Sequence, residues 1–259
     1  MLSLYQKTSI VTGASRGIGR AIAFRLAREG ASVVLTARDQ TLLESAVSEI
    51  KAAGGSAVSM ALDLREPDAP AQLAEFTEAQ FGGIDIVVNN AGATKRGDFL
   101  SLTEEDWRDG YALKFFGAMR LTRAAWPQLR ERRGSVVNIA GVGGRTPGAQ
   151  FTIGGSVNAA LLSLTKALAE LGIQDGVQVN AINPGPVRTD RLAARLKILA
   201  REKGIDRADA EGEMVREMRI TRVGEPEDVA SLVAYIVSPE ARLLHGSFID
   251  LDGGETKTL

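Results

Sequence analysis

The 259-residue sequence contains no cysteine, which excludes disulfides and thiolate chemistry. That absence fits a reducing compartment, and a cytoplasmic location is expected. Histidine is almost absent: His245 stands alone. Metal centres draw heavily on His and Cys. No tight His/Asp/Glu cluster occurs in the sequence, so no metal site is expected. A net charge of −1 gives no long-range field to favour nucleic acid or an anionic membrane, and neither partner is expected. The stretch "MLSLYQKTSIVTG" has no basic region followed by a long apolar core, so no signal peptide is expected. Residues 146–165 run for twenty positions without a charge, about the length of a membrane span. Pro147, Gly148, Gln150, Gly154, Gly155, Ser156 and Asn158 within that run argue against a span.

What is present is an ordinary globular composition, 44% hydrophobic and 24% charged. Short β-branched runs alternate with longer helical patterns. Candidate strands are 9–12, 32–36, 57–62, 84–89, 135–139, 177–182 and 247–251. Their continuous apolar cores, such as "VVL" and "IVV", suit strands covered on both faces. Helical patterns fill 17–29, 40–53, 67–81, 103–131, 155–172 and 226–238. The alternation predicts an α/β fold: one doubly wound, Rossmann-like parallel sheet with helices on both faces, in a single domain over 1–259. Residues 190–222 interrupt it with two amphipathic stripes, Leu192/Leu196/Leu199 and Met214/Val215/Met218. These read as surface helices packed on the body, or as a mobile lid with breaks at Gly204 and Gly212.

The most informative segment is "SIVTGASRGIGRAIAFRLAREGASVVLTAR". A strand ends at Thr12. Gly13, Gly17 and Gly19 then lead into a helix with Ile18, Ile22 and Leu26 on one face. Such a turn presents bare N–H groups and a positive helix end to a phosphate. Between strand and helix, this is a strong dinucleotide signal. At the tip of the second strand a carboxylate would hold a ribose 2′-OH, whereas arginine accepts a 2′-phosphate. Arg38 stands there, with Arg16 placed to close from the other side. NADP(H) is therefore expected over NAD(H), although Asp39 stands beside Arg38.

These residues resemble the short-chain dehydrogenase/reductase family over nearly the whole chain. The likeness rests on Thr12-Gly13-Ala14-Ser15-Arg16-Gly17-Ile18-Gly19, Asp63-Leu64, Asn89-Asn90-Ala91-Gly92, "VVNIAG", Asn183-Pro184-Gly185-Pro186-Val187-Arg188-Thr189 and the terminal "DLDGG". The resemblance implies that Ser15, Ile18 and the glycines hold the cofactor's phosphates. It implies that Asp63 and Leu64 bracket adenine, and that Asn90, Ala91 and Gly92 line the ribose and support the sheet. Pro184, Gly185, Val187 and Thr189 would hold the nicotinamide.

The family's proton chemistry uses Asn, Ser, Tyr and Lys. In register, this chain has Lys114 at the asparagine position, Gly141 at serine, Gly154 at tyrosine and Asn158 at lysine. Its tyrosines are Tyr5, Tyr111 and Tyr235, and none falls into place. Phe151 lies nearby with no proton to give. Lys114 is the candidate catalytic replacement: a long ammonium that could reach space left by the missing lysine, with a pKa lowered by burial. Three readings remain open. One is an NADP(H)-dependent oxidoreductase acting on a carbonyl or alcohol by a non-standard proton path. Another is an inactive NADP(H)-binding sensor or partner subunit. The third is a lyase or isomerase that reuses the fold. The apolar stripes suggest a small, apolar substrate. Helices 103–131 and 155–172 are apolar on two sides, which with the resemblance implies a homodimer or homotetramer.

Overall fold

The computed structural model describes residues 4–258. Seven parallel strands form one sheet: β1 (Thr8–Thr12), β2 (Ser32–Ala37), β3 (Ser56–Ala61), β4 (Ile86–Asn89), β5 (Ser135–Ile139), β6 (Gln178–Pro184) and β7 (Phe248–Leu251). Their order is β3-β2-β1-β4-β5-β6-β7. The chain reverses direction across the sheet between β1 and β4, where open α/β sheets form their ligand crevice.

Period-two alternation decides which residue serves which layer. Val11, Val33, Leu35, Ile86, Val88 and Val137 pack with α1 (Gly17–Arg28), α2 (Gln40–Ala52) and α9 (Pro226–Ile236). Ile10, Val34, Val87 and Val136 face the other way. There they meet α3 (Ala69–Phe81), α5 (Ala118–Arg132) and α6 (Thr152–Asp175). Both faces are thus covered, as the unbroken apolar runs require.

Three details differ from the sequence expectation. The stretch expected as one helix over 103–131 is α4 (Glu104–Tyr111), a widened π turn at Ala112–Gly117, and α5. Such turns carry an extra residue and re-aim side chains locally; here the turn contains Lys114. Helix α6 begins at Thr152, ahead of Gly154 and Gly155. The amphipathic stretch forms α7 (Asp190–Lys203) and α8 (Arg207–Met218). Leu192, Leu196, Ala210 and Met214 pack these two helices into a small core of their own. Gly204 ends α7 at φ +66°, whereas Gly212 sits inside α8 and breaks nothing. Among the described residues no helix is long and apolar enough to cross a membrane.

Candidate active site

The glycine turn between β1 and α1 is built for close approach. Gly13 has φ +65°, and a Cβ there would stand 3.0 Å from Ala91 Cα. A Cβ on Gly19 would overlap the Gly13 carbonyl. Helix α1 has no side-chain cap and no acidic residue in its first turn, so its leading N–H groups remain available to an anion. Gly17 meets the Thr189 methyl, with a Cβ there only 3.1 Å away. The turn after β6 therefore lies directly against the glycine turn. Pro184 ends β6, and Gly185 rests on Asp252 after β7, whose carboxylate accepts from the N–H groups of Gly254 and Thr256.

A polar network ties β1 to β4. Thr12 Oγ1 accepts from the N–H groups of Asn90 and Ala91, each at 2.9 Å. Asn90 Nδ2 donates to Thr12 O at 2.9 Å and reaches Gly13 O at 3.3 Å. Asp63 and Leu64 lie just after β3. Asp63 accepts from Arg65 N at 3.0 Å, while Leu64 is 5% exposed and packs in the core. Arg38 is largely exposed and stands 4.0 Å from Asp63. Arg16 pairs with Asp190 at 3.1 Å, both side chains being well exposed; such a pair is worth at most about 1 kcal/mol and is easily exchanged. Asp39 caps α2, accepting from Leu42 N at 3.0 Å. That bond engages one oxygen of the carboxylate that stands beside Arg38.

Around the first turn of α6 the side chains are rearranged rather than simply deleted. The Phe151 ring lies on Gly154 so closely that a Cβ there would enter the ring. Arg96 stacks on Phe151 at 3.9 Å from its centroid. Gly141 has φ +139°, and a Cβ on it would sit 3.1 Å from Asn158 Nδ2. Asn158 is 3% exposed, and its Oδ1 has no partner.

Lys114 enters this space from the π turn. Its Nζ donates to Ala140 O at 2.5 Å, at the end of β5. Its methylenes press on Gly92, where a Cβ would fall 2.8 Å from Lys114 Cδ. Burial first, and the charge of Arg191 second, lower its pKa from the ordinary lysine value to about 7. Tyr111, one turn earlier, instead makes an edge contact with Phe115. His245 Nε2 donates to Ala169 O at 2.7 Å, toward the far end of α6.

The residues fit a dinucleotide. A cradle closed to any Cβ faces an uncapped helix end, and Asn158 Oδ1 is a buried acceptor lacking the hydroxyl donor that a ribose would offer. Two features escaped sequence reasoning. One is the buried chain Asn89–Asn138–Thr165, with bonds of 2.8 Å, which ties β4 and β5 to α6. The other is a set of arginines at the cleft: Arg96, Arg191 and Arg195. The spacing of Arg191 and Arg195 was the available signal, since residues four apart share a helix face.

The chain matches the family model described as Enoyl-(Acyl carrier protein) reductase over residues 13–256. It is 37% identical to an uncharacterized oxidoreductase, MT0954, of Mycobacterium tuberculosis over 258 residues, covering 99% of this chain and 94% of that one. It is 32% identical to the 3-oxoacyl-[acyl-carrier-protein] reductase FabG of Staphylococcus epidermidis, with 96% and 98% coverage. The L-sorbose reductase of Gluconobacter frateurii, solved with NADPH and L-sorbose, superposes with a TM-score of 0.95 at 32% identity, covering 100% of this chain and 99% of that one. A short-chain dehydrogenase of Burkholderia cenocepacia in complex with NADP gives 0.86 at 32% identity, with 98% and 99% coverage. The chain belongs to the short-chain dehydrogenase/reductase family of oxidoreductases.

Proposed function

We propose that this protein is an NADP(H)-dependent oxidoreductase acting on a small carbonyl or alcohol substrate, with Lys114 carrying the proton. When bound, the nicotinamide supplies or accepts the hydride. Lys114 Nζ gives its proton to the substrate oxygen in reduction and takes it back in oxidation. The observation that carries this reading is the placement of Lys114 Nζ on Ala140 O, beside Gly141, with a pKa of about 7. A group with a pKa near the working pH is the most effective acid–base catalyst. The α7–α8 pair, ending its first helix at Gly204, is read as a cover over the cleft. The test is NADPH oxidation with a panel of carbonyl compounds, run on the natural protein and on Lys114→Ala. Turnover that survives the substitution unchanged removes Lys114 from the mechanism.

The second reading, a non-catalytic NADP(H)-binding protein, draws support from the Phe151 ring over Gly154, which fills space that a catalytic phenol would need. Tight NADPH binding without turnover across the panel would select it.

Preference for NADP(H) rests on Arg38. With Arg16 drawn to Asp190, one charge-assisted contact is counted, worth about 1.5–3 kcal/mol before solvent weakens it. Arg38→Ala should therefore narrow the ratio of NADH to NADPH dissociation constants by about tenfold. Unchanged discrimination would move the 2′-phosphate contact elsewhere.

Assembly into a dimer or tetramer is also part of the proposal. Phe116 is 39% exposed and Leu171 44% exposed, on the two elements with apolar outer faces. A groove of about 460 Å³ is lined by Trp107, Tyr111 and Phe116. Sedimentation at micromolar concentration should give a multimer, and Phe116→Glu should lower its mass. A monomeric natural protein would remove this part of the proposal.

A further inference from the structure

Three arginines gather at the cleft, and among the described residues none of them is paired in a salt bridge. Arg96 rises from the loop after β4 and stacks on Phe151, over the first turn of α6. Arg191 lies on the first turn of α7, and its Nη2 donates to Gly92 O at 2.7 Å. Gly92 in turn touches Lys114. Arg195 is one turn further along α7. Arg191 thus bears on Lys114, and Arg96 lies within the field of Arg191 and Arg195.

Nearby cations are neutralised. Lys95 pairs with Asp106 at 2.9 Å, Arg16 with Asp190 at 3.1 Å, and Arg145 with Asp250. Among the described residues, Arg96, Arg191 and Arg195 make no ion pair within 4.0 Å. Instead they repel one another. Burial chiefly, then Arg195 and Arg191, pull the pKa of Arg96 down; burial and Arg16 do the same to Arg191. Glu255 is the carboxylate whose field bears on both Arg96 and Arg195, while burial first and Asp252 second push its own pKa up. Three positive charges held near a single carboxylate leave a net positive field that favours an anion, and guanidinium forks suit carboxylate and phosphate oxygens. The leucines of α7 do not oppose this, because Leu192 and Leu196 turn inward against α8.

We propose that the carbonyl substrate carries a compact anion, a carboxylate or phosphate, received by Arg96, Arg191 and Arg195. The claim rests on the reading of the cleft as a reductase site only for the position of the carbonyl beside Lys114. The anion site itself stands on the arginines. The glycine turn, where the helix end of α1 would meet the cofactor's phosphates, is a separate feature that touches this cluster only through the repulsion between Arg16 and Arg191.

The test uses non-reducible probes, so that turnover is not the readout. Oxamate, 2-phosphoglycolate and neutral oxamide are titrated calorimetrically into the full chain, with and without saturating NADPH. At least one anion should bind about tenfold or more tightly than oxamide, and the tighter of the two identifies the group. Arg96→Ala and Arg195→Ala should each weaken that anion by about tenfold, the loss of one charge-assisted bond, and leave NADPH affinity unchanged. Arg201→Ala, exposed on the same helix, should change neither. Equal binding of all three probes overturns the proposal. So does an arginine variant that weakens NADPH as much as the anion, since the cluster would then serve the cofactor. If NADPH itself fails to bind, the reductase reading fails, while the titrations without it still decide the anion question.

Discussion

Lys114→Met should lower NADPH-dependent carbonyl reduction at pH 6 by about 10²–10⁴-fold, the usual contribution of a positioned acid, and at the same time stabilise the fold. The two effects share one cause. Lys114 Nζ is held against Ala140 O in a partly buried site, and burial with Arg191 lowers its pKa to about 7. The reduction needs the ammonium. The natural protein's rate should be level below pH 7 and fall about tenfold per unit above it, as expected for one required proton. Oxidation of the alcohol needs the neutral amine and should show the opposite limb, rising toward pH 7 and levelling above it.

Stability follows the same titration with a different sign. In the unfolded chain Lys114 holds its proton up to the ordinary value of 10.5, whereas in the fold it releases it near 7. Between these values the unfolded state binds more protons, so stability rises with pH across that window. Below pH 7 the fold carries the full burden of a desolvated charge. At 1.36 kcal/mol per unit the burden is about 5 kcal/mol as an upper bound, reduced by the water that reaches this partly open side chain. Lys114→Met removes it. Urea midpoints at pH 6 and pH 10 should show a gain for the variant at the lower pH that shrinks at the higher one. A lysine with a purely structural role would give lost stability with lost activity. That result would remove both the catalytic assignment and its electrostatic basis.

The same contrast shows what the sequence could reveal. Strand positions were legible because alternation and apolar run length are local properties: Val33 and Val34 announce a strand buried on both faces without reference to any neighbour. The glycine turn was legible for a similar reason, since Gly13, Gly17 and Gly19 are demanded by contacts within one strand–turn–helix unit. Arg38 and Asp39 were harder. Both stand at the tip of β2, and only the capping bond from Asp39 to Leu42 N separates a helix cap from a ribose ligand. The cleft chemistry was least legible. Arg96 meets Phe151, and Arg191 meets Gly92, through contacts that join segments about 55 and 100 residues apart in a parallel sheet with long crossovers. The π turn that aims Lys114 also left no mark, because an inserted helical residue keeps the same apolar pattern on either side.

Placing three of the four family residues back by substitution should fail unless Phe151 is removed first. Two glycines in the first turns of α6 each cost about 1 kcal/mol relative to alanine in a helix, and packing explains why both stay. Gly155 lies against Pro147, with a Cβ there 2.7 Å from the proline Cβ. Gly154 lies under the Phe151 ring, and that ring carries Arg96. Gly154→Tyr must therefore expel Phe151 or shift the helix, at a cost of about 3 kcal/mol, the upper range for overpacking. The triple change Gly141→Ser, Gly154→Tyr and Asn158→Lys should be less stable than the natural protein and gain no reductase activity. Serine at 141 adds its own strain, because φ +139° suits glycine alone. Adding Phe151→Ala should recover more than half of the stability lost through Gly154→Tyr. In a double-mutant cycle on urea midpoints, the coupling between positions 151 and 154 should exceed about 1 kcal/mol, as expected for residues in direct contact. Additive effects would mean that the tyrosine finds another direction, and that the phenylalanine does not hold the place of the phenol. Coupling of the expected size would show that a side chain three residues away fills the site, so that glycine at 154 follows from the position of Phe151 and not merely from the loss of tyrosine.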